Sequence, residues 1–317
     1  MKKEIFLHIG THKTGTTSLQ YYLDKHSEEL LKKGIYYPRT GWYHHSQHEL
    51  AFSLQKMFKN KDSLQNDSLW NTLKEEINNS SVPKIVISSE EFSLISEEAI
   101  IKLQDILKEY NVKIVIYIRR QSDLLESIYN QQTKDWKSPR KLPFEYFVKQ
   151  PRKLYNHIYY FWMIKSWEDV FGIENMIVRI YNKKMLNGGN TLSDFFSLLD
   201  IPYDEEKINI RVNQSVSIKA LEMIRLSKMM NIDLYKRKKI FELANYYFPA
   251  DEKNTSLLTS LEKKALDEKF KKNNEKLKEK YFPNLDRNTL FSSEYYSSEK
   301  KDILSRIDLM HIIKDFV

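Results

Sequence analysis

The chain has 317 residues, of which 41% are hydrophobic and 13% aromatic, enough to fill one large core and too apolar for a disordered chain. It contains no cysteine, which excludes a disulfide framework, a thiolate metal site and a cysteine nucleophile. The net charge of +8 favours anionic ligands (phosphates, sulfates, acidic glycans, nucleic acid) without choosing among them.

Met1-Lys2-Lys3-Glu4 leads into Ile5-Phe6-Leu7-His8-Ile9, a strand-like run rather than the core of a signal peptide. No apolar run approaches the roughly 20 residues that span a bilayer, so the expectation is a cytoplasmic chain without a transmembrane segment. Apolar residues then recur at helical spacing at Leu19, Tyr22, Leu23, His26, Leu30 and Leu31, up to a left-handed stop at Gly34. Three more β-branched runs read as buried parallel strands: Lys84 to Ser88, Lys113 to Ile118 and Met176 to Ile180. Between the first two of these, Ser96 followed by Glu97 and Glu98 reads as a helix start, with Ile100, Ile101, Leu103, Ile106 and Leu107 as its apolar set. From about Val216 the pattern is helical, and Leu261 to Tyr281 mixes Lys and Glu with a few apolar positions.

This alternation predicts an α/β fold, a three-layer α/β/α arrangement around a mostly parallel, P-loop-like sheet with a helical C-terminal elaboration. One domain is expected over residues 1–317, with a nucleotide-binding core over 1–210 and a mainly helical part over 211–317. In such folds ligands bind at the carboxyl ends of the strands.

Gly10-Thr11-His12-Lys13-Thr14-Gly15-Thr16-Thr17 follows the first strand and opens the first helix, the setting of a phosphate-binding loop. An ATP-type loop reads G-x-x-x-x-G-K-[ST]. Here both glycines and Thr17 are kept, Thr16 stands where the lysine belongs, and the cation has moved to Lys13. A lysine two residues before the second glycine sits beside the transferred group and its leaving oxygen, while Thr16 and Thr17 are placed to bond a 5′ phosphate.

At these residues the sequence resembles the sulfotransferases that use 3′-phosphoadenylyl sulfate (PAPS), whose first signature is a strand, a K-[ST]-G-T-T loop and a helix. The resemblance implies PAPS as donor, no metal requirement, and contacts to it from His12, Lys13, Thr14, Gly15, Thr16 and Thr17. It also implies a second signature, an Arg and a Ser eight residues on that bind the 3′ phosphate. Arg119 and Ser127 have that spacing after the third strand run. Such an arginine can grip phosphate oxygens in two-pronged fashion while the serine adds one bond. Arg120 stands where many relatives carry asparagine, which leaves either arginine open, with the spacing favouring Arg119. The motifs are sharp, and the likeness extends over about residues 1–200.

In-line transfer leaves the acceptor's proton to be removed, and the second strand ends in Ser88-Ser89-Glu90-Glu91, a carboxylate at the proper sheet edge. Glu90 is the favoured base by analogy with carbohydrate-modifying members, with Glu91 and His12 as alternatives. Arg39, Trp42, Tyr43, His44, His45 and His48 gather in the loop Tyr36 to His48, a mixture suited to sugar stacking; His44 and His48 are also four apart, as for a metal on a helix face, though without a clear third ligand. Lys134, Trp136, Lys137, Arg140, Lys141 and Arg152 form a basic stretch that reads as a lid or a solvated loop. Arg211 to Ser215 sits where relatives place another nucleotide-contacting loop. In the C-terminal Lys-rich helix acidic residues are interleaved, so nucleic acid is not expected.

The reading is therefore a PAPS-dependent sulfotransferase acting on a hydroxyl or amine of a carbohydrate acceptor, a glycan or glycolipid by resemblance. A P-loop kinase or NTPase, and a nucleotide-binding regulator without chemistry, are the rivals; the first needs the lysine that Thr16 replaces.

Overall fold

The computed structural model describes residues 2–59, 64–139, 141–149, 158–201, 216–230, 232–250 and 256–292. They fall into two compact units, the first drawn from Met1–Arg119, Tyr159–Ile210 and Glu279–Pro283, the second from Arg120–Ile158, Arg211–Lys278 and Asn284–Val317.

In chain order the first unit contains β1 (Glu4–His8), α1 (Thr16–Lys25), α2 (Ser27–Lys32), β2 (Ile35–Tyr36), α3 (His48–Lys59), α4 (Leu64–Asn79), β3 (Lys84–Ser88), α5 (Glu97–Leu107) and β4 (Asn111–Ile118). The helix Tyr160–Phe171, β5 (Met176–Ile180) and the helix Thr191–Leu198 complete it. The five strands form one sheet in the order β2-β3-β1-β4-β5, and every pairing is parallel. The α/β expectation is met, and all four expected strands are present. β2 is an addition: only two residues long, it pairs Ile35 with Lys84 and Tyr36 with Ile85, too short to show as a run.

The helix expected from Leu19 to Gly34 is two helices. The chain breaks at His26 (φ −108°, ψ 19°), whose ring stacks on Tyr22 at 4.2 Å. Gly34 does take the left-handed conformation, φ +87°. Ser96 caps α5 by accepting the Ala99 amide, as its sequence position predicts.

The register separates two faces of different chemistry, because alternate residues of a strand point to opposite sides. Ile5 and Leu7, Ile85 and Ile87, Ile114 and Ile116 share one face and are fully buried. The helix Tyr160–Phe171 packs on β4 and against α5, and α5 packs against α3. On the other face Phe6, Val86, Val115 and Tyr117 pack with Leu19, Tyr22 and Leu23 of α1 and with Phe195 and Phe196 of the helix Thr191–Leu198. That face also carries buried His8 and Ser88, polar residues at the carboxyl end of an otherwise apolar layer.

The second unit is built of helices, among them Gln121–Lys134, Ile218–Ser227, Leu234–Tyr247 and Ser260–Glu268. Helical structure thus follows Val216 as expected, and the Lys- and Glu-rich stretch forms two helices, Ser260–Glu268 and Lys271–Tyr281. The first of them opens on a capping box between Thr259 and Glu262. Among the described residues no helix is long and apolar enough to cross a membrane.

Candidate active site

β3 lies on one side of β1 and β4 on the other, so the strand order turns at β1 and the crevice beyond its carboxyl end is the expected ligand site. The loop leaving β1 first runs along β4: the Ile9 and Thr11 amides donate to the carbonyls of Val115 (3.0 Å) and Tyr117 (2.9 Å), and the Tyr117 amide donates to Gly10 (2.7 Å). Both loop glycines are required. Gly10 and Gly15 have φ of +96° and +85°, and a Cβ would lie 2.8 Å from Glu90 Cβ at the first and 2.5 Å from Thr191 Oγ1 at the second. Thr14 is buried and its hydroxyl donates to Thr11 O (2.6 Å), while the Thr191 hydroxyl donates to Thr14 O (3.0 Å). Thr14 thus uses its hydroxyl inside the loop. Lys13 itself is left-handed, φ +65°, a conformation that costs a non-glycine residue about 1 kcal/mol or more and concentrates at functional sites.

Gly15 precedes α1, whose first turn holds no acidic residue and whose N-terminus has no side-chain cap among the described residues. The initial amides of a helix lack intrahelical partners and carry the positive end of its dipole, so this start is prepared for an anion. Thr16 is buried, its hydroxyl 3.4 Å from Glu90 Oε1, and Thr17 is exposed.

Arg119, one residue beyond β4, is the one of the paired arginines that belongs to the first unit. Its Nη1 donates to Lys13 O at 3.0 Å, and its guanidinium lies 5.4 Å from the centre of the Tyr181 ring. The Tyr160 hydroxyl donates to Arg119 O (2.7 Å). Arg120 belongs to the second unit, where it precedes the helix Gln121–Lys134 and lies 3.9 Å from both Asp123 and Asp267. Ser127 is half-buried on that same helix.

Asp267 accepts the Ser122 amide and hydroxyl, both at 2.9 Å, yet burial pushes its pKa up from 3.8 to about 6, against those bonds and Arg120. A carboxyl raised in the folded state contributes stability below its unfolded pKa, and that contribution is lost as the pH rises through about 6. Asp267→Asn is therefore expected to exceed the parent in stability by up to about 3 kcal/mol at pH 7.5, with the difference closing below pH 4. Urea unfolding at the two pH values checks this; equal stability at pH 7.5 would mean that the buried charge is already compensated.

Glu90 and Glu91 begin a 3₁₀ turn, Glu90–Leu94, directly after Ser89. Ser89 caps it by accepting the Glu91 amide at 3.2 Å, and its hydroxyl lies 2.7 Å from His48 Nδ1. Gln20 of α1 donates to Glu90 Oε2 at 2.7 Å. Burial alone would raise Glu90, but that bond and the fields of His12 and His48 outweigh it and hold the carboxyl below its usual range. Glu91 moves the other way, raised by burial and by the charge of Glu90. His12 stands between them, Nδ1 4.0 Å from Glu90 Oε1 and Nε2 3.9 Å from Glu91 Oε1. Burial lowers its pKa despite the pull of Glu90. The loop and β3 thus bring Lys13, His12, Thr16, Glu90 and Glu91 to one sheet edge, with Arg119 bonded to the loop.

The stretch 36–48 is braced rather than loose. Glu76 of α4 accepts the Tyr36 hydroxyl (2.7 Å), the Arg39 amide (2.6 Å), and the Thr40 amide (2.9 Å) and hydroxyl (2.5 Å). Arg39 donates to Asp24 at 2.9 Å and lays its guanidinium 3.9 Å from the Trp42 ring centre. His44 and His45, with φ of +49° and +67°, are the central pair of a turn closed by Tyr43 and Ser46 bonding each other at 2.8 and 3.3 Å, where Asn-Gly is the usual choice. Trp42 is 36% and Tyr43 50% exposed. His44 therefore shares no helix face with His48, which opens α3, and among the described residues no group of His, Asp and Glu could hold a metal ion. In the basic stretch Lys134 ends the helix Gln121–Lys134 and Lys137 lies 5.2 Å from the Trp136 ring centre. Arg140, Arg152 and the segment 211–215 lie outside the described residues.

Three residues at this edge escape sequence reasoning: Gln20, Tyr181 and Thr191. Tyr181 had a signal, being the first residue after β5 as Glu90 nearly is after β3. Gln20 had one too, a polar residue at a core-facing helical position. Thr191 had none, since its contact with the loop spans 177 residues of sequence.

No family model matches the chain. An uncharacterized protein of Archaeoglobus fulgidus is 30% identical over 230 residues, 70% of this chain and 60% of that protein; the match spans less than two thirds of the relative's length. Among solved structures, a sulfotransferase from Alicyclobacillus acidocaldarius shares 17% identity with a TM-score of 0.43, over 75% of this chain and 100% of that one. Mouse sulfotransferase SULT7A1 complexed with PAP shares 15% with a TM-score of 0.36, over 74% and 68%.

Proposed function

We propose that the chain is a sulfotransferase that moves a sulfuryl group from PAPS to a hydroxyl or amine of an acceptor. The observation that carries this reading is the loop itself: a glycine-walled turn at the switch point, ending on an uncapped helix start, with its lysine inside the loop and not after the second glycine. The residues present fit a nucleotide bearing two phosphate positions. Gly10 and Gly15 let Glu90 and Thr191 pack directly against the loop backbone and hold its shape, the amides of Thr16 and Thr17 at the uncapped start of α1 are assigned to the 5′ phosphate, and Arg119 is assigned to the 3′ phosphate.

When bound, the donor supplies a sulfuryl group joined through oxygen to its 5′ phosphate. In transfer a bond forms from the acceptor oxygen or nitrogen to sulfur, the sulfur–oxygen bond to the phosphate breaks, and the acceptor's proton passes to a base. The Lys13 ammonium offsets the charge that develops on the leaving oxygen. Glu90 is the proposed base; a carboxyl held below its usual range is ionised at neutral pH and ready to accept a proton. Glu91 and His12 are the alternatives.

The finer proposal is a carbohydrate acceptor. Exposed Trp42 and Tyr43, with His44 and His48 beside them, offer ring faces and hydrogen-bonding groups in a stretch braced by Glu76, the combination that sugar binding uses.

The test is incubation of the purified protein with sulfur-labelled PAPS and a glycan panel, alongside ATP labelled at the γ-phosphate. Labelled glycan and adenosine 3′,5′-bisphosphate are expected. Tight ATP binding with phosphoryl transfer and no PAPS turnover would establish a kinase instead, and PAPS binding without product across the panel would leave a regulator. With activity in hand, Glu90→Gln is expected to lower kcat by roughly 10²–10⁴-fold and to abolish the acidic limb of its pH profile. A mutant retaining rate and limb would place the base elsewhere.

A further inference from the structure

We infer that Gln20, anchored through Ser88 to His8, is a positioning residue that fixes one oxygen of the Glu90 carboxylate and leaves the other to take the acceptor's proton; this rests on the proposed sulfuryl transfer. The four side chains form a column beneath the loop. Gln20 Nε2 has two hydrogens and two acceptors, Glu90 Oε2 at 2.7 Å and Ser88 Oγ at 3.3 Å. Ser88 Oγ lies 2.8 Å from His8 Nδ1. Gln20, Ser88 and His8 are all buried, and among the described residues His8 Nε2 has no hydrogen-bond partner.

An apolar side chain at position 20 would suit this layer better on energetic grounds. Its neighbours on α1, Leu19, Tyr22 and Leu23, are buried hydrophobics, and burying an amide and an imidazole with an unmatched nitrogen is costly. What the amide supplies is asymmetry in Glu90. Oε2 is held at full hydrogen-bond strength, whereas Oε1 has Thr16 Oγ1 at 3.4 Å and His12 Nδ1 at 4.0 Å, contacts an incoming proton donor can replace. The base of the column is rigid: Gln47 Oε1 accepts the Ser88 amide (2.8 Å), and the Gln47 amide donates to Ser88 O (3.1 Å). Burial drives the His8 pKa down to about 4, so the column is neutral up to Glu90 and adds no competing charge.

The groups that face Glu90 and set its titration are His12 from the loop, Thr16 and Gln20 from α1, Tyr37 just after β2, His48 from α3, His8 from β1 and the adjacent Glu91. Removing the Gln20 bond leaves burial, which raises the pKa, less opposed.

The experiment compares the full-length protein with Gln20→Leu and Ser88→Ala. Glu90 is followed by carbon NMR of glutamate labelled at the side-chain carboxyl, with Glu90→Gln assigning the signal, and kcat and KM are measured against pH. In Gln20→Leu the Glu90 titration is expected to rise by about one pH unit, the acidic limb of kcat to move with it, and kcat to fall roughly 10–100-fold with the donor's KM little changed. Ser88→Ala should shift the titration in the same direction by less, and it decides the matter if Gln20→Leu does not fold by circular dichroism. An unmoved Glu90 titration in a folded variant overturns the inference. If the titration moves as expected but neither parent nor variant consumes PAPS, the sulfuryl-transfer reading fails while the placement of Glu90 by Gln20 stands.

Discussion

Lys13→Ala is expected to lower turnover roughly 10²–10³-fold, the scale of one transition-state donor, while leaving the fold and most of the donor affinity in place. The backbone argument favours a clean result. The residue sits at φ +65°, where alanine meets the same steric conflict as lysine, so the substitution adds no new strain. The bond that fastens the loop at this point, from Arg119 Nη1, goes to the Lys13 carbonyl, which alanine keeps. The two glycines, the Thr14 and Thr191 bonds and the start of α1 are untouched. What disappears is the ammonium, and if its work is on the leaving oxygen the loss appears in kcat much more than in KM. A purified Lys13→Ala protein turning over PAPS at the parental rate would refute this role and, with it, the meaning given to the relocated cation.

Much of this site was legible because its signals are local. A strand, a glycine turn and a helix start follow one another within residues 5–25, and each reports its geometry through short-range constraints: positive φ at Gly10 and Gly15, alternation in β1, periodicity in α1. The carboxylates after β3 follow from the rule that ligands collect where parallel strands end, and the arginine after β4 from the eight-residue spacing to Ser127 that the family resemblance implies. The missing pieces depend on contacts between distant segments. The Gly15 position is closed by Thr191, and the Glu90 orientation by Gln20, 70 residues apart; no spacing within either segment announces such a pair. The break at His26 and the two-residue β2 were missed because elements this short leave almost no periodicity to read. The His44–His45 turn contradicts local preference outright, since its flanking contacts, from the Tyr37 hydroxyl to His45 O (2.9 Å) and between His45 and Asp24, hold residues that a hairpin turn does not favour.

Asp194→Ala is expected to destabilise the first unit by about 3 kcal/mol, the cost of taking a fully buried carboxylate away from a buried phenol and a part-exposed arginine, seen as a fall in Tm of roughly 10 °C. Asp194 is fully buried on the helix Thr191–Leu198 and accepts the Tyr117 hydroxyl (2.9 Å), Arg179 Nε (2.9 Å) and the Asn187 amide (2.8 Å). Tyr117 is itself buried, and burial together with Asp194 pushes its pKa well up, so the neutral phenol stays a donor with no water to turn to. Alanine would strand that donor and the Arg179 guanidinium together, whereas Asp194→Asn keeps one acceptor and should cost less. The same helix presents Thr191 to the Gly10–Thr17 loop, so the Ala variant should also lose the proposed activity at temperatures where it remains folded, in proportion to how far Thr191 withdraws from Thr14. Exchanging the group as a whole for apolar residues (Asp194→Leu, Tyr117→Phe and Arg179→Met) should recover most of the stability, because no buried polar partner is then left unmatched. A single Asp194→Ala protein within 1 kcal/mol of the parent in urea unfolding would show that these bonds lie outside the stable core, and that the loop is held by its own contacts and not by this helix.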